Sequence, residues 1–263
     1  MNKRNDLIIP GDDEDPLALL TRCGGYYDCP IGADGKPKGP VVGYAARYDG
    51  VHQWVGRTYV NFAKAEEHPP VVRYCASALA YLTFNRVEEV DAFCGIPEGG
   101  KALAFDLASF SNRRHIFAEK EVLAVKTGES REKSRIVFRR HQPRPGDRLA
   151  IVEDACNNFD ATDQIVAGAE KAGAKVVAIL CFLNRSLKFD AEYPAPCDTG
   201  AARQIPIISL VRKPIPEYTQ TDPAVAEDIA AGNVIWKPKD QLDELLKAMQ
   251  AGNYVSSWQA GGQ

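Results

Sequence analysis

Leu149 to Thr162 reads LAIVEDACNNFDAT, and this stretch decides the fold. Leu149, Ala150, Ile151 and Val152 form a short apolar run, the pattern of a strand buried on both faces. The run ends in two adjacent carboxylates, Glu153 and Asp154. A short polar loop follows, then a helical pattern from about Ala161 to Ala172. Gly173 stands where a left-handed helix end is expected. A second apolar run, Lys175 to Leu183 (KVVAILCFL), supplies another strand. Strand, helix, strand of this length is a parallel βαβ unit. Its acidic pair then lies at the carboxyl end of a strand, the edge where open α/β sheets bind ligands.

Working outward, Val90–Cys94, Glu121–Val125 and Ile205–Val211 read as further strands, and Pro70–Phe84 and Lys101–Ser109 as helices. The fold class is therefore α/β, with a mostly parallel central sheet flanked by helices. Lys126 to Arg144 is charged and poorly periodic, which reads as a long mobile loop of the kind that usually has a function. The N-terminal part is rich in Gly, Pro and Tyr, with two alternating runs (Pro40–Tyr48 and Trp54–Phe62) suited to a small sheet. Residues 223–234 and 240–251 suggest two further helices. The expected division is a flexible tail (1–15), a hood-like N-terminal segment (16–62), an α/β core (63–215) and a C-terminal helical extension (216–263).

Composition narrows the function. The net charge of −3 gives no general attraction to nucleic acid or anionic membrane. No run approaches the roughly 18 to 20 apolar residues of a membrane span. The N-terminus has no apolar h-region, so a signal peptide is not expected. The seven cysteines form no CxxC pair and several lie inside apolar runs, which suits a reduced, cytoplasmic protein.

Chemistry concentrates at the strand ends. Gly95-x-x-x-Gly99-Gly100 precedes the helix at Lys101. Such a turn lets backbone N–H groups approach a phosphate or pyrophosphate, and Lys101 adds a positive charge there; it is also ordinary helix punctuation. Glu153 and Asp154, side by side at a buried strand's end, repel each other and call for hydroxyl donors or a divalent cation. A ribose diol with Mg²⁺ supplies both. The plainer alternative is one carboxylate capping the loop and the other solvated.

These motifs resemble the type I phosphoribosyltransferases, orotate phosphoribosyltransferases above all, over roughly residues 54 to 212. IVEDAC matches the family's strand-and-acids signature, and GIPEGGKALA (Gly95–Ala104) matches its earlier G-x-P-x-G-G-x-x-L-A loop in outline. The resemblance implies a type I phosphoribosyltransferase fold. It also implies transfer of 5-phosphoribose between phosphoribosyl pyrophosphate (PRPP) and a nucleobase, with an orotate-like pyrimidine favoured and Mg²⁺ as cofactor. By position, Gly99, Gly100, Lys101, Glu153, Asp154, Asn157, Asn158, Asp160 and Thr162 would bind PRPP. Glu153 and Asp154 would hold the metal directly or through ribose or water. Lys126, Arg131 and Asp154 would act in catalysis, and Arg185 would hold the base. Homodimers are a further implication, each site being completed by the neighbour's mobile loop.

Two departures stand out. The family's phosphate loop reads close to Thr-Thr-Gly-Gly-Ser, whereas this chain has Asn157-Asn158-Phe159-Asp160-Ala161. Phe159 replaces a glycine, and Asp160 places an anion in a phosphate cradle. In the mobile loop Lys126 is kept, Arg131 stands in place of a histidine, and the other cations are shifted to Lys133, Arg135, Arg139, Arg140, His141 and Arg144. The alternative reading is accordingly a catalytically degenerate paralogue that binds nucleotide or PRPP as a regulator.

Overall fold

The computed structural model describes residues 7–251 apart from 88, 125–132 and 196–202. In chain order, α1 (Pro16–Arg22) precedes β1 (Tyr26–Asp28), β2 (Val41–Arg47), β3 (Gln53–Gly56), β4 (Thr58–Val60) and α2 (Ala63–Glu66). Then come α3 (Pro69–Phe84), β5 (Ala92–Gly95), α4 (Gly100–Ser111), β6 (Arg114–Phe117), β7 (Glu119–Ala124) and β8 (Lys133–Val137). The remainder is β9 (Arg148–Cys156), α5 (Asp160–Lys171), β10 (Lys175–Asn184), β11 (Glu192–Ala195), β12 (Arg203–Arg212), α6 (Ala226–Ala230), β13 (Val234–Ile235) and α7 (Leu242–Ala251). The chain clusters into two compact units, one made of residues 1–19 and 65–214 and the other of 20–64 and 215–263.

The first unit is built on a six-stranded sheet of order β11-β12-β10-β9-β5-β6. β12, β10, β9, β5 and β6 run parallel, and β11 is antiparallel at the edge. Leu149 to Val152 have no exposed surface, as expected of a strand covered on both faces. Beside them, α5 buries Thr162, Ile165, Val166 and Ala169, one stripe at helical spacing. Gly173 follows with φ 77°, the left-handed end that needs glycine.

Three expectations are corrected, and one strand was not anticipated. The stretch 126–144 is not all loop: β8 pairs antiparallel with β7 in a separate two-stranded ribbon, leaving 126–132 outside the described residues. β6 (RHIF) joins the parallel sheet although it is too short and polar to show in the pattern. Residues 223–234 give only the short α6 and then β13. Finally, residues 7–15 are tied to the start of α3 and to its first turns. The Ile8 N–H donates to His68 Nδ1 at 3.2 Å, and the Tyr74 hydroxyl donates to the Glu14 carbonyl at 2.7 Å.

In the second unit β13, β2 and β3 form one sheet and β1 pairs with β4. The amphipathic α7 turns Leu242, Leu245 and Met249 onto a core with Tyr27, Cys29, Val42, Tyr44 and Ile235. An isolated helix of this length is marginal in water, and shared burial of its apolar stripe is what holds it. Among the described residues no helix is long and apolar enough to cross a membrane.

Candidate active site

The ends of β5 and β9 meet in register, with Gly95 opposite Val152, so the turn after β5 lies against the acids after β9. The Ile96 N–H donates to the Val152 carbonyl at 2.9 Å and extends the ladder into that turn. The peptide between Pro97 and Glu98 is cis. Gly99 caps α4, and a Cβ built on it would lie 2.3 Å from Asp154 Cγ. A Cβ on Gly100 would lie 2.0 Å from the Val152 carbonyl oxygen. At Gly100 the obstacle is backbone and only glycine fits, whereas at Gly99 any side chain would displace the Asp154 carboxylate. The result is a helix N-terminus whose first residues face the acidic strand end.

Glu153 and Asp154 are half-buried by area but densely surrounded. Burial, followed by the charge of Asp154, pushes the Glu153 carboxyl up to about 8; the Cys156 thiol, donating to Glu153 Oε2 at 3.3 Å, partly offsets this. Asp154 is raised by burial too, with backbone N–H contacts opposing. Glu66, at the end of α2, is raised by burial and then by Asp154 and Glu98. Neither Glu153 nor Asp154 has an ion-pair partner among the described residues, so each carboxyl holds its proton more tightly than it would in water.

This has a consequence for stability. Between the ordinary carboxylate range and about 8, Glu153 is protonated in the folded chain and ionised in the unfolded one. Unfolding therefore releases a proton, and stability falls as pH rises through that window, by up to about 1.4 kcal/mol per pH unit. Glu153→Gln is expected to flatten the fall. Calorimetric melting across the window checks it, and equal pH slopes in variant and parent would contradict it.

The loop after the acids is filled by its own side chains. Phe159 has φ 65°, the left-handed region that a glycine adopts at no cost. Its ring is 2% exposed, stacked on Tyr193 with centroids 5.6 Å apart and edge-on to Phe189 at 5.1 Å. Core packing thus holds a backbone conformation that the side chain alone disfavours. Asn158 Nδ2 donates to Asp160 Oδ2 at 2.5 Å, and Asp160 and Asp163 occupy the first turn of α5. The helix dipole is thereby met by the chain's own carboxylates. Thr162 lies on the core-facing stripe of α5, with Oγ1 buried and unpartnered among the described residues. Asn157 is half-buried.

The expected cations fall differently. Lys101 Nζ is 2.7 Å from Glu98 Oε2 and sits 5.1 Å above the Phe117 ring, so its charge is already balanced. Arg135 and Arg139 both pair with Glu121, and Arg140 Nε is 3.2 Å from Glu119 Oε1. His141 Nδ1 accepts from the Phe117 N–H at 3.2 Å. The shifted cations at 135–140 are therefore engaged by β7 carboxylates. Lys126 and Arg131 lie outside the described residues. Arg185 leaves the end of β10 with its N–H donating to the Cys156 carbonyl at 3.0 Å, one strand over from the acids.

The structure thus brings Gly99, Gly100, Glu153 and Asp154 together, with Arg185 on the adjoining strand end. It pairs Lys101 with Glu98 and turns Thr162 toward the core. Sequence reasoning missed Glu66, Glu98 and Cys156 as members of the site, and it noted Asn184 only as the neighbour of Arg185. Asn184 is fully buried and donates to the Phe189 and Asp190 carbonyls at 3.1 and 2.9 Å, shaping the turn that carries Arg185. Its signal in the sequence was its place beside Arg185 at the end of an apolar strand; Glu66 had none.

Among the described residues no group of three or more His, Cys, Asp and Glu is arranged to hold a metal ion. Two carboxylates without a cationic partner do fit a divalent ion whose other ligands come from a bound diphosphate.

No protein-family model matches the chain. It is similar to the orotate phosphoribosyltransferase of Sulfurovum sp. (strain NBC37-1), 26% identical over 154 residues, 58% of this chain and 72% of that one. The orotate phosphoribosyltransferase of Heliobacterium modesticaldum is 28% identical over 129 residues, covering 49% of this chain and 62% of the relative. Among solved structures, the orotate phosphoribosyltransferase of Aeropyrum pernix aligns over 74% of this chain and 92% of its own, with a TM-score of 0.49 and 13% identity.

Proposed function

We infer that this chain, type I phosphoribosyltransferase-like and orotate-like in sequence, transfers 5-phosphoribose between PRPP and a nucleobase, an orotate-like pyrimidine being favoured. The observation that carries the reading is the approach of the Gly99 backbone to the Asp154 carboxylate. It sets diphosphate-binding N–H groups beside acceptors for a ribose diol. In this reading Glu153 and Asp154 accept hydrogen bonds from the two ribose hydroxyls. The Gly99–Gly100 turn holds the diphosphate, and Arg185 holds an anionic group on the base. Lys126 and Arg131 neutralise the leaving pyrophosphate. A base nitrogen bonds to the anomeric carbon as its bond to the pyrophosphate oxygen breaks. The carboxylates favour the positive charge that grows on the ribose in between. Glu153 and Asp154 would also hold Mg²⁺, directly or through ribose or water, and the ion supplies neutralising charge to the diphosphate. We place the protein in the cytoplasm as a homodimer, which equilibrium sedimentation tests.

The test of turnover is pyrophosphate release from PRPP and Mg²⁺ on adding orotate, uracil and a panel of other bases. Release with one of them is expected. Binding of PRPP without release from any would favour a regulatory protein. That second reading has its own support in the self-filled loop, where Phe159 and the Asn158–Asp160 pair occupy the position of the family's 5′-phosphate loop.

Asp160 gives a direct prediction. A carboxylate about 4 Å from a phosphate oxygen costs on the order of 1 to 4 kcal/mol. Asp160→Thr is expected to tighten binding of PRPP by about tenfold or more in calorimetry. Unchanged affinity would show that this turn does not meet the 5′-phosphate.

A further inference from the structure

The second unit holds a cavity of its own, about 360 Å³, lined by Gly43, Tyr44, Gln53, Tyr59, Trp236 and the segment Lys237–Asp240. It lies wholly within residues 20–64 and 215–263. Several local features build it. A Cβ on Gly43 would lie 3.0 Å from Trp236 Cε3 and 3.1 Å from the Trp236 carbonyl, so the bare backbone of β2 seats the indole. Gln53 Nε2 donates to the Tyr44 carbonyl at 2.7 Å and to the Trp236 carbonyl at 3.3 Å, which joins β2 to the 236–240 segment. The Tyr44 hydroxyl donates to the Thr58 carbonyl at 2.7 Å and fixes the second wall. Tyr59, the third aromatic wall, has its phenol raised by burial and by the Asp240 carboxylate.

At the rim, Lys237, Lys239 and Asp240 are exposed, and neither lysine has an ion-pair partner among the described residues. The rim therefore carries one net positive charge above an aromatic interior. Cavities of this volume with aromatic walls and a few polar groups are the usual form of a small-molecule site.

We propose that this cavity binds a planar heteroaromatic monoanion, its ring against Trp236, Tyr44 and Tyr59 and its anionic group at Lys237 and Lys239. The site goes beyond the transferase reading and does not depend on it, since every residue it uses lies outside the strand-end site.

The test uses the full chain labelled with 5-fluorotryptophan, with the Trp236 resonance assigned through Trp236→Phe. Nicotinate is the probe. Nicotinamide is its neutral counterpart, and acetate is an anion without a ring. Nicotinate is expected to shift the Trp236 resonance saturably, with nicotinamide weaker by roughly tenfold and acetate without effect. A Lys237→Ala, Lys239→Ala double variant should weaken nicotinate by roughly tenfold, whereas Asp154→Asn should leave it unchanged. The proposal is overturned if nicotinate gives no saturable shift at millimolar concentration. A shift indifferent to the lysines, or one lost in Asp154→Asn, overturns it equally.

Discussion

Asp154→Asn is expected to lose PRPP affinity by about 10- to 100-fold while melting higher than the parent at neutral to mildly alkaline pH. The two effects have one cause. Asp154 is held above its ordinary value by burial, beside Glu153, with no ion-pair partner among the described residues. An aspartate whose proton is held more tightly in the folded chain destabilises that chain once the pH exceeds the unfolded value. The isosteric amide removes both the desolvation and the repulsion. It also removes a charged acceptor for a ribose hydroxyl, worth about 1.5 to 3 kcal/mol where the bond is charge-assisted. A carboxylate kept for structure would behave oppositely, its loss lowering the melting temperature. Parallel calorimetric melts and titrations decide between them.

Gly100→Ala is expected to lower the melting temperature by about 5 to 15 °C and to remove PRPP binding with it. The new methyl would sit 2.0 Å from the Val152 carbonyl oxygen and 3.1 Å from Glu153 Cα, and all of these are backbone atoms that no rotamer can move. Either α4 shifts away from β9 or the strand end does, and in both cases the turn and the acids part. Gly99→Ala makes a useful contrast. The nearest atoms to its methyl are those of the Asp154 carboxylate, at 2.3 to 2.5 Å, and a side chain can rotate away. That variant should stay within a few degrees of the parent in stability and still bind PRPP poorly. Equal stability losses in the two variants would contradict this picture of the turn.

How much of this was legible beforehand differs by element. The βαβ unit around Leu149–Thr162 was, because a strand buried on both faces and a helix closed by glycine leave strong patterns. The orientation of Gly99 toward Asp154 followed from strand order, once β5 and β9 were neighbours. β6 and β8 were not legible: RHIF is half polar, and the KSRIV strand is charged because it belongs to an exposed ribbon. Nor was the pairing of Arg135, Arg139 and Arg140, since cross-strand partners on β7 depend on a register that charge counts do not carry. Phe159 shows the limit most clearly. Read as a glycine replacement it suggested an obstructed phosphate loop. The structure adds that Tyr193 and Phe189, residues that showed no connection to the loop in sequence, supply the packing that holds it. α7 showed its own apolar stripe but not its covering surface, which is contributed by residues some two hundred positions earlier such as Tyr27 and Val42.

The central claim is that the β9 acids and the Gly99–Gly100 turn together take the ribose and diphosphate of PRPP. The most direct measurement is calorimetric titration of the full chain with PRPP, with and without Mg²⁺, at two pH values on either side of the Glu153 transition near about 8. The account predicts binding that requires Mg²⁺, strengthens as pH rises through that transition, and falls away in Asp154→Asn. Absence of heat at millimolar PRPP with Mg²⁺, or binding that Asp154→Asn leaves intact, would contradict it.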